Sequence, residues 1–207
     1  MRRTRFTHRF AVAVATAATF IGFASGPAAA DPTLDWTVAM DGLQAAAAGN
    51  PAAEQAVGRL IASGQTATEV ALPAQPFQIP AQSDIGRGDG PGVYGSGIAL
   101  DMDGFRFGFF GGPGTISPNQ DGAKLEVVWF NLSNGRSGTN HLIEHQDIPV
   151  DTTIRTAVLD TGPGLIVAAV YGSLWHRWSV PVSDEHPDGF QYQLGVISQP
   201  SFGAVTN

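Results

Sequence analysis

The sequence predicts a mainly β fold, either a β-sandwich or a small barrel of about seven or eight strands, preceded by a short N-terminal helical pair. Three observations lead to this prediction. Residues 35–64 repeat apolar side chains at helical spacing. Most later segments alternate apolar and polar residues, or are apolar over the length of a strand. Turn pairs such as Asp103-Gly104 and Asn134-Gly135 separate those segments at short intervals.

Residues 1–30 are predicted to be a secretory signal peptide. Four arginines precede an apolar stretch at residues 11–23, and three alanines at residues 28–30 form a small-residue cleavage site. The apolar stretch is too short and too rich in alanine for a membrane span. We therefore expect one exported domain, residues 31–207, secreted or held at the cell envelope, with no integral membrane span in the mature chain.

Charge and cysteine content narrow the possible partners and chemistry. The chain has a net charge of −7, and removal of the signal-peptide arginines leaves the remainder more acidic. An acidic surface repels phosphate backbones and anionic lipid, so nucleic-acid binding is not expected. The absence of cysteine excludes disulfides, thiol catalysis and a zinc site with cysteine ligands.

Residues 31–64 are predicted to form the helical pair. One apolar stripe contains Met40, Leu43 and Ala47, and a second one includes Val57 and Ile61. Between the stripes, residue 50 is an asparagine suited to an N-cap and residue 51 is a proline suited to the first helical position. We expect the two helices to pack together on a sheet, with the second helix ending at residue 64.

Residues 65–92 are predicted to contain an edge strand at 66–72 and then a long surface loop rich in proline and glycine. Residues 93–207 are predicted to be an antiparallel β core. Its strands are expected at residues 97–102, 105–110, 125–132, 140–146 and 190–197, and three more are expected between residues 153 and 181. In that last region, turn residues at 161–164 follow the first strand, and Gly172-Ser173 is expected to separate the other two.

The first candidate metal site is the segment from His141 to His145, which has the pattern H-x-x-E-H with Glu144. It resembles the zinc signature of the inverzincin metallopeptidases, and that resemblance implies zinc bound by the two histidines and Glu144 as general base. The resemblance covers five residues, and Gly138 and Pro149 leave little room for the long helix on which that family carries the motif. The alternative is a set of polar residues on an exposed strand.

The second candidate metal site combines His176 with the alternating residues Asp184 and His186. Carboxylate oxygens suit calcium, whereas imidazoles suit zinc or another transition metal. The alternative is a Pro-Asp-Gly turn with solvated acids and a histidine on a strand. Should all of the candidate histidines converge, a divalent metal would be the cofactor; otherwise no cofactor is expected.

Aromatic residues suggest a third kind of site. Trp129, Trp175, Trp178, Tyr171 and Tyr192 are numerous enough to form a platform on which a sugar ring stacks. A sandwich core also needs such side chains, and that is the preferred interpretation.

These observations favour a secreted, non-catalytic protein with a binding or structural role, whose partner is a protein, a glycan or a small ligand. One alternative is a metal-dependent hydrolase that uses either candidate metal site. Another is an oligomeric channel subunit of the cell envelope, assembled through the glycine-rich hairpin of residues 97–110.

Overall fold

The computed structural model of the chain describes residues 34–67, 70–73, 81–83, 94–101, 103–111, 116–145 and 153–207. The predicted signal peptide lies outside these residues, as does most of the predicted loop at 73–92. Residues 34–207 form one compact unit. Among the described residues, two helices precede eleven strands, which confirms a mainly β fold with an N-terminal helical pair. None of the helices in this part of the chain has the length and apolar character needed to cross a membrane.

The helices are α1 (Trp36–Ala47) and α2 (Pro51–Ser63). The strands are β1 (Val70–Ala71), β2 (Ala81–Ser83), β3 (Tyr94–Asp101), β4 (Phe105–Phe110), β5 (Leu125–Asn131), β6 (Ser137–His141), β7 (Glu144–His145), β8 (Thr153–Arg155), β9 (Leu165–Ser179), β10 (Phe190–Gln199) and β11 (Phe202–Thr206).

Local sequence signals set the bounds of the helical pair. The Asn50 side chain accepts hydrogen bonds from the backbone N–H groups of residues 52 and 53, and Pro51 begins α2, as predicted. Gly64 ends the helix in the left-handed conformation. Ile61, which was expected on the buried stripe, is 43% exposed; that prediction was wrong, because the buried face of α2 runs through residues 53, 56, 57 and 60 and leaves Ile61 at its side. The buried helix residues are Ala39, Leu43, Ala47, Ala53, Ala56, Val57 and Leu60.

The strands form two layers. Their hydrogen-bonded order is a continuous open path that does not close into a ring. A central sheet has the order β1-β11-β9-β5-β6, in which β1 alone runs parallel to its neighbour. A second, antiparallel sheet has the order β3-β4-β8-β7. The strands β10 and β2 connect the two sheets, because β10 pairs with β9 and β2, and β2 pairs with β3. This arrangement is consistent with a β-sandwich.

The central sheet is buried on both faces. Alternate residues of β9 belong to two hydrophobic clusters: Val167 and Ala169 face the helical pair, whereas Ile166 and Ala168 face the second sheet. The second sheet contributes Phe105, Phe107 and Phe109 to the core between the sheets. The predicted hairpin of residues 97–110 is present; Phe105, Phe107 and Phe109 pack into this core, whereas Phe110 is 36% exposed.

The longest strand differs from its prediction. Two strands were expected between residues 165 and 180, but β9 continues through Gly172 for 15 residues. Gly172 has a φ of +102°, and at this point β9 exchanges its partners β5 and β11 for β10. The glycine therefore bends the strand from one sheet pairing into another and does not end it.

Three further strand predictions need correction. The strand expected from residue 154 ends at Arg155, although the backbone N–H of Thr156 still bonds to Phe107 at 2.9 Å. The expected loop at 73–92 contains β2. The last strand, β11, was not predicted at all, and it pairs with both β9 and β1 in the central sheet.

Candidate functional site

A cleft of about 470 Å³ lies beside the part of β9 and β10 that extends past Gly172. We call it the Trp175 cleft. One wall is a loop at residues 117–121, and the other consists of aromatic side chains from the two strands. Its lining residues are Ser117, Pro118, Asn119, Asp121, Trp175 and Tyr192.

Trp175 is held in place by four hydrogen bonds to the loop. Its backbone N–H donates to Gln120 Oε1 at 2.8 Å. Its carbonyl oxygen accepts from the Ser117 N–H at 2.8 Å and from Gln120 Nε2 at 3.0 Å. Its indole Nε1–H donates to the carbonyl oxygen of Asp121 at 2.9 Å. The polar edge of the indole is thus satisfied inside the protein, and its faces remain for contact with the cleft.

The loop is also ordered by its own side chains. The Asn119 N–H donates to Ser117 Oγ at 3.3 Å, and the Asp121 N–H donates to Asn119 Oδ1 at 2.8 Å. Asn119 and Asp121 are exposed. Within the described part of the chain, neither the Nδ2 group of Asn119 nor the carboxylate of Asp121 has a protein partner. The cleft therefore carries one amide donor and one carboxylate acceptor that are available to a ligand.

Tyr192 forms the second aromatic wall, and it is 43% exposed. Its hydroxyl donates to Asp188 Oδ2 at 2.6 Å. This bond lowers the pKa of Asp188, and the same bond raises the pKa of Tyr192, with Arg177 acting on the hydroxyl in the opposite direction. The Arg177 guanidinium lies 4.5 Å from the centre of the Phe190 ring. The phenol is thus held by neighbours on its own hairpin.

The strand register places Trp175 and Tyr192 on one face of the β9–β10 pair. Trp175 is directly opposite Leu194, and Tyr192 is directly opposite Arg177, so the two aromatic residues are diagonal neighbours. Diagonal neighbours across a strand pair are typically about 7–8 Å apart. Leu194 and Val196 on the same face are 39% and 45% exposed. The result is a face with several exposed apolar side chains, bordered by the polar loop.

The residues of the first predicted metal site have separate partners. His141 ends β6, and its Nε2 lies 3.0 Å from Glu126 Oε1. Glu144, in β7, instead forms ion pairs with Arg106 and Arg155. His145 follows it in β7, and its side chain lies outside the described residues. The segment is extended rather than helical, so the helical arrangement implied by the resemblance to zinc peptidases is wrong.

The residues of the second predicted metal site lie on different elements. His176 is on β9, only 2% exposed, and forms an isolated backbone bridge with Ile116. Asp184 and His186 are in the turn between β9 and β10, where residues 183 and 186 exchange backbone hydrogen bonds. Across the residues that the structure describes, no three histidine, aspartate or glutamate side chains come together as metal ligands.

The residues of the predicted aromatic platform form a buried pair and a pair in the cleft, with Trp178 apart from both. Trp129 and Tyr171 are buried, and the Trp129 Nε1–H donates to Asn140 Oδ1 at 2.8 Å. Trp175 and Tyr192 line the cleft. Trp178 lies on the other face of β9, three residues from Trp175. The core interpretation is therefore correct for the buried pair only.

Sequence reasoning missed the polar side of the cleft. Residues 117–121 lie between the strands predicted at 105–110 and 125–132, and no functional role was predicted for them. The contact between Gln120 and Trp175 spans 55 residues of chain, so no local pattern reveals it. No family model, curated protein or solved structure matches this chain, and its chemistry has to be inferred from its own residues.

Proposed function

We propose that the chain is an exported, non-catalytic binding protein whose ligand occupies the Trp175 cleft. The observation that carries this proposal is the state of Trp175: its polar atoms are bonded to the loop while its ring lines an open cleft. Apolar surface left in water is unfavourable, and aromatic side chains fixed before binding lose little entropy when a ligand arrives. Rigid aromatic walls with a few free polar groups are typical of ligand sites.

The lining of the cleft favours binding over hydrolysis. Its described residues include one carboxylate, from Asp121, and no histidine. Hydrolysis of glycosidic bonds by carboxyl groups uses two of them, one as acid and the other as base or nucleophile, and an activated serine needs an adjacent base. Ser117 is 1% exposed, and its Oγ already accepts the Asn119 N–H. These groups can orient a ligand, but they do not form a catalytic pair.

Export is the second part of the proposal, and it rests on the sequence of residues 1–30. A basic segment, an apolar segment and a small-residue cleavage site are the parts of a secretory signal. The absence of cysteine means that the fold needs no disulfide outside the cell. N-terminal sequencing of protein recovered from the culture medium and the envelope tests this part. We expect Asp31 as the first residue, and an intact N-terminus on protein retained in the cytosol would contradict it.

The binding part is tested by thermal unfolding in the presence of a panel of defined small ligands. We expect at least one ligand to raise Tm, because a ligand at 100 times its Kd stabilises the folded state by about 2.7 kcal/mol. The same ligand should leave Trp175→Ala unchanged. Trp178→Ala is the matched control, since it removes the same side chain from the opposite face of β9. A shift of equal size in Trp175→Ala, or turnover of the bound ligand, would contradict the proposal.

A further inference from the structure

We infer that the Trp175 cleft is a saccharide site that takes an uncharged pyranose ring. This inference rests on the proposed function and adds the chemical class of the ligand. It follows from three properties of the cleft, namely the free polar pair on the loop, the aromatic faces, and the charges around them.

The free polar pair matches neighbouring hydroxyl groups. A hydroxyl donates one hydrogen bond and accepts others, so one hydroxyl of a sugar can donate to the Asp121 carboxylate while the next accepts from Asn119 Nδ2. The two residues are two positions apart, and the hydrogen bond from the Asp121 N–H to Asn119 Oδ1 orients the amide. A purely apolar ligand would remove water from both groups without replacing the hydrogen bonds, which is unfavourable.

The aromatic faces match the C–H groups of a sugar ring. Trp175 and Tyr192 both have their polar atoms bonded to protein groups, so each offers the face of its ring. The face of an aromatic ring is electron-rich, and it attracts the weakly positive C–H groups on one side of a pyranose. A ligand that stacks one face on Trp175 and carries hydroxyl groups at its edge contacts the aromatic wall and also hydrogen-bonds to the loop.

The surrounding charges exclude the main alternatives. An anionic ligand would meet the Asp121 carboxylate in the lining, and the Asp188 carboxylate next to the Tyr192 hydroxyl, in a chain with a net charge of −7. A quaternary ammonium is bound best when aromatic faces surround it. Here both rings lie on the same face of the β9–β10 pair, and Arg177 is directly opposite Tyr192, so a cation would meet a positive charge beside one of the rings. An uncharged ligand with many hydroxyls remains.

Titration of the purified protein with methyl pyranosides and neutral oligosaccharides, followed by tryptophan fluorescence and calorimetry, tests the inference. Choline and glucuronate serve as charged probes. We expect neutral saccharides to bind, Trp175→Ala to abolish binding, and Asp121→Asn to weaken it about tenfold, because a hydrogen bond to a charged acceptor becomes one to a neutral acceptor. Asp121→Asn changes an exposed carboxylate that has no partner among the described residues and should retain the wild-type Tm, so a loss of affinity in this variant reports on the site and not on folding.

The outcomes separate the ligand class from the proposed function. Binding of choline or glucuronate that depends on Trp175, without binding of neutral saccharides, overturns the saccharide inference and leaves the binding function standing. Saccharide binding that persists unchanged in Trp175→Ala and Asp121→Asn overturns the site itself. Absence of any saccharide binding by the wild-type protein at millimolar concentration also overturns the inference.

Discussion

Gly172 allows a single strand to serve two different pairings. Its φ of +102° lies where only glycine is readily accommodated. A Cβ built at this position would lie 2.0 Å from the backbone carbonyl oxygen of Lys124, which is far inside van der Waals contact. That same oxygen accepts the Ser173 N–H at 3.0 Å. The position at which β9 changes partners, just before the strand segment that lines the cleft, is therefore fixed by steric contacts and by a hydrogen bond.

We expect Gly172→Ala to destabilise the protein by about 3 kcal/mol or more, since it adds backbone strain to a clash with another backbone. Gly58→Ala is the control: it lies on the exposed face of α2 with no atom within 4 Å of the added Cβ. That change should stabilise the protein by up to about 1 kcal/mol, because alanine favours the helix. Urea unfolding measures both values. Equal effects of the two substitutions would contradict this account of Gly172.

Tyr192 and Asp188 should titrate as a linked pair. The hydrogen bond between them lowers the pKa of Asp188 and raises that of Tyr192. Their mutual stabilisation is therefore present above the ordinary aspartate range and is lost as pH falls through the lowered pKa of Asp188. It is lost again at alkaline pH, as the pH rises through the raised pKa of Tyr192.

The difference in ultraviolet absorbance between the wild type and Tyr192→Phe isolates the ionisation of this tyrosine. We expect its midpoint above the ordinary value of about 10. In Asp188→Asn the midpoint should fall, because the negative charge is removed and the hydrogen bond becomes one to a neutral acceptor. A midpoint at or below the ordinary value in the wild type would show that the pair does not form in solution.

Asn50 connects the helical layer to the central sheet. Its Oδ1 caps α2, and its Nδ2 donates to the Tyr171 hydroxyl on β9 at 3.1 Å. Glu126 is directly opposite Tyr171 on β5, and burial, followed by the charge of Glu126, raises the pKa of this tyrosine far above its ordinary value. His141 and Lys124 contact the same buried carboxylate. A helix cap is therefore part of a polar network across two layers.

This network leads to a comparison of the two helix caps. Asp35 caps α1 through its side chain, and its hydrogen bonds with described residues stay within that helix. We expect Asp35→Ala to cost about 1 kcal/mol. Asn50→Ala should cost about 1 kcal/mol more, because the buried Tyr171 hydroxyl loses a partner as well. Chemical denaturation of both variants measures their free energies of unfolding. The same two substitutions are also made in a Tyr171→Phe background, in which the hydroxyl partner of Asn50 is absent. If the two cap variants lower the free energy of unfolding by the same amount, the hydrogen bond between Asn50 and Tyr171 does not stabilise the fold.

Elements defined by local signals were predictable, and those defined by distant partners were not. The capping residues of the helices and the turn pairs at 103–104 and 134–135 act within a few residues, so their helices and hairpins were found. In contrast, β11 and β2 are short and exist through pairing with remote strands. The bend of β9 was mistaken for a break because its change of partner leaves no mark in the sequence besides Gly172. The cleft was missed for the same reason, since its loop and its tryptophan are joined only by tertiary hydrogen bonds.

At the scale of the whole molecule, the central sheet is shared by two hydrophobic cores. One core lies between this sheet and the helical pair, and the other lies between the two sheets. Both clusters contain alternate residues of the same strand, β9. If either core is lost, one apolar face of the central sheet is exposed to water. A sheet is stable only when its apolar faces are covered by another layer, so the remaining layer cannot keep the central sheet folded alone. The two layers should therefore unfold together.

This shared sheet predicts a single cooperative transition even when only one core is damaged. Leu43→Ala removes a fully buried side chain from the helical core, and Phe107→Ala does the same in the core between the sheets. We expect losses of about 2–5 kcal/mol and about 3–5 kcal/mol, respectively. Ile61→Ala, at a half-exposed position on α2, should change stability by only about 0.5 kcal/mol.

Two spectroscopic signals compare the layers during urea unfolding. Far-ultraviolet circular dichroism follows the helices, and tryptophan fluorescence follows mainly the sheets. The two curves should coincide in every variant, because the helical pair has no other surface on which to remain folded. Loss of the helical signal in Leu43→Ala at a lower urea concentration than the fluorescence change would show instead that the helical layer can detach from a stable sandwich.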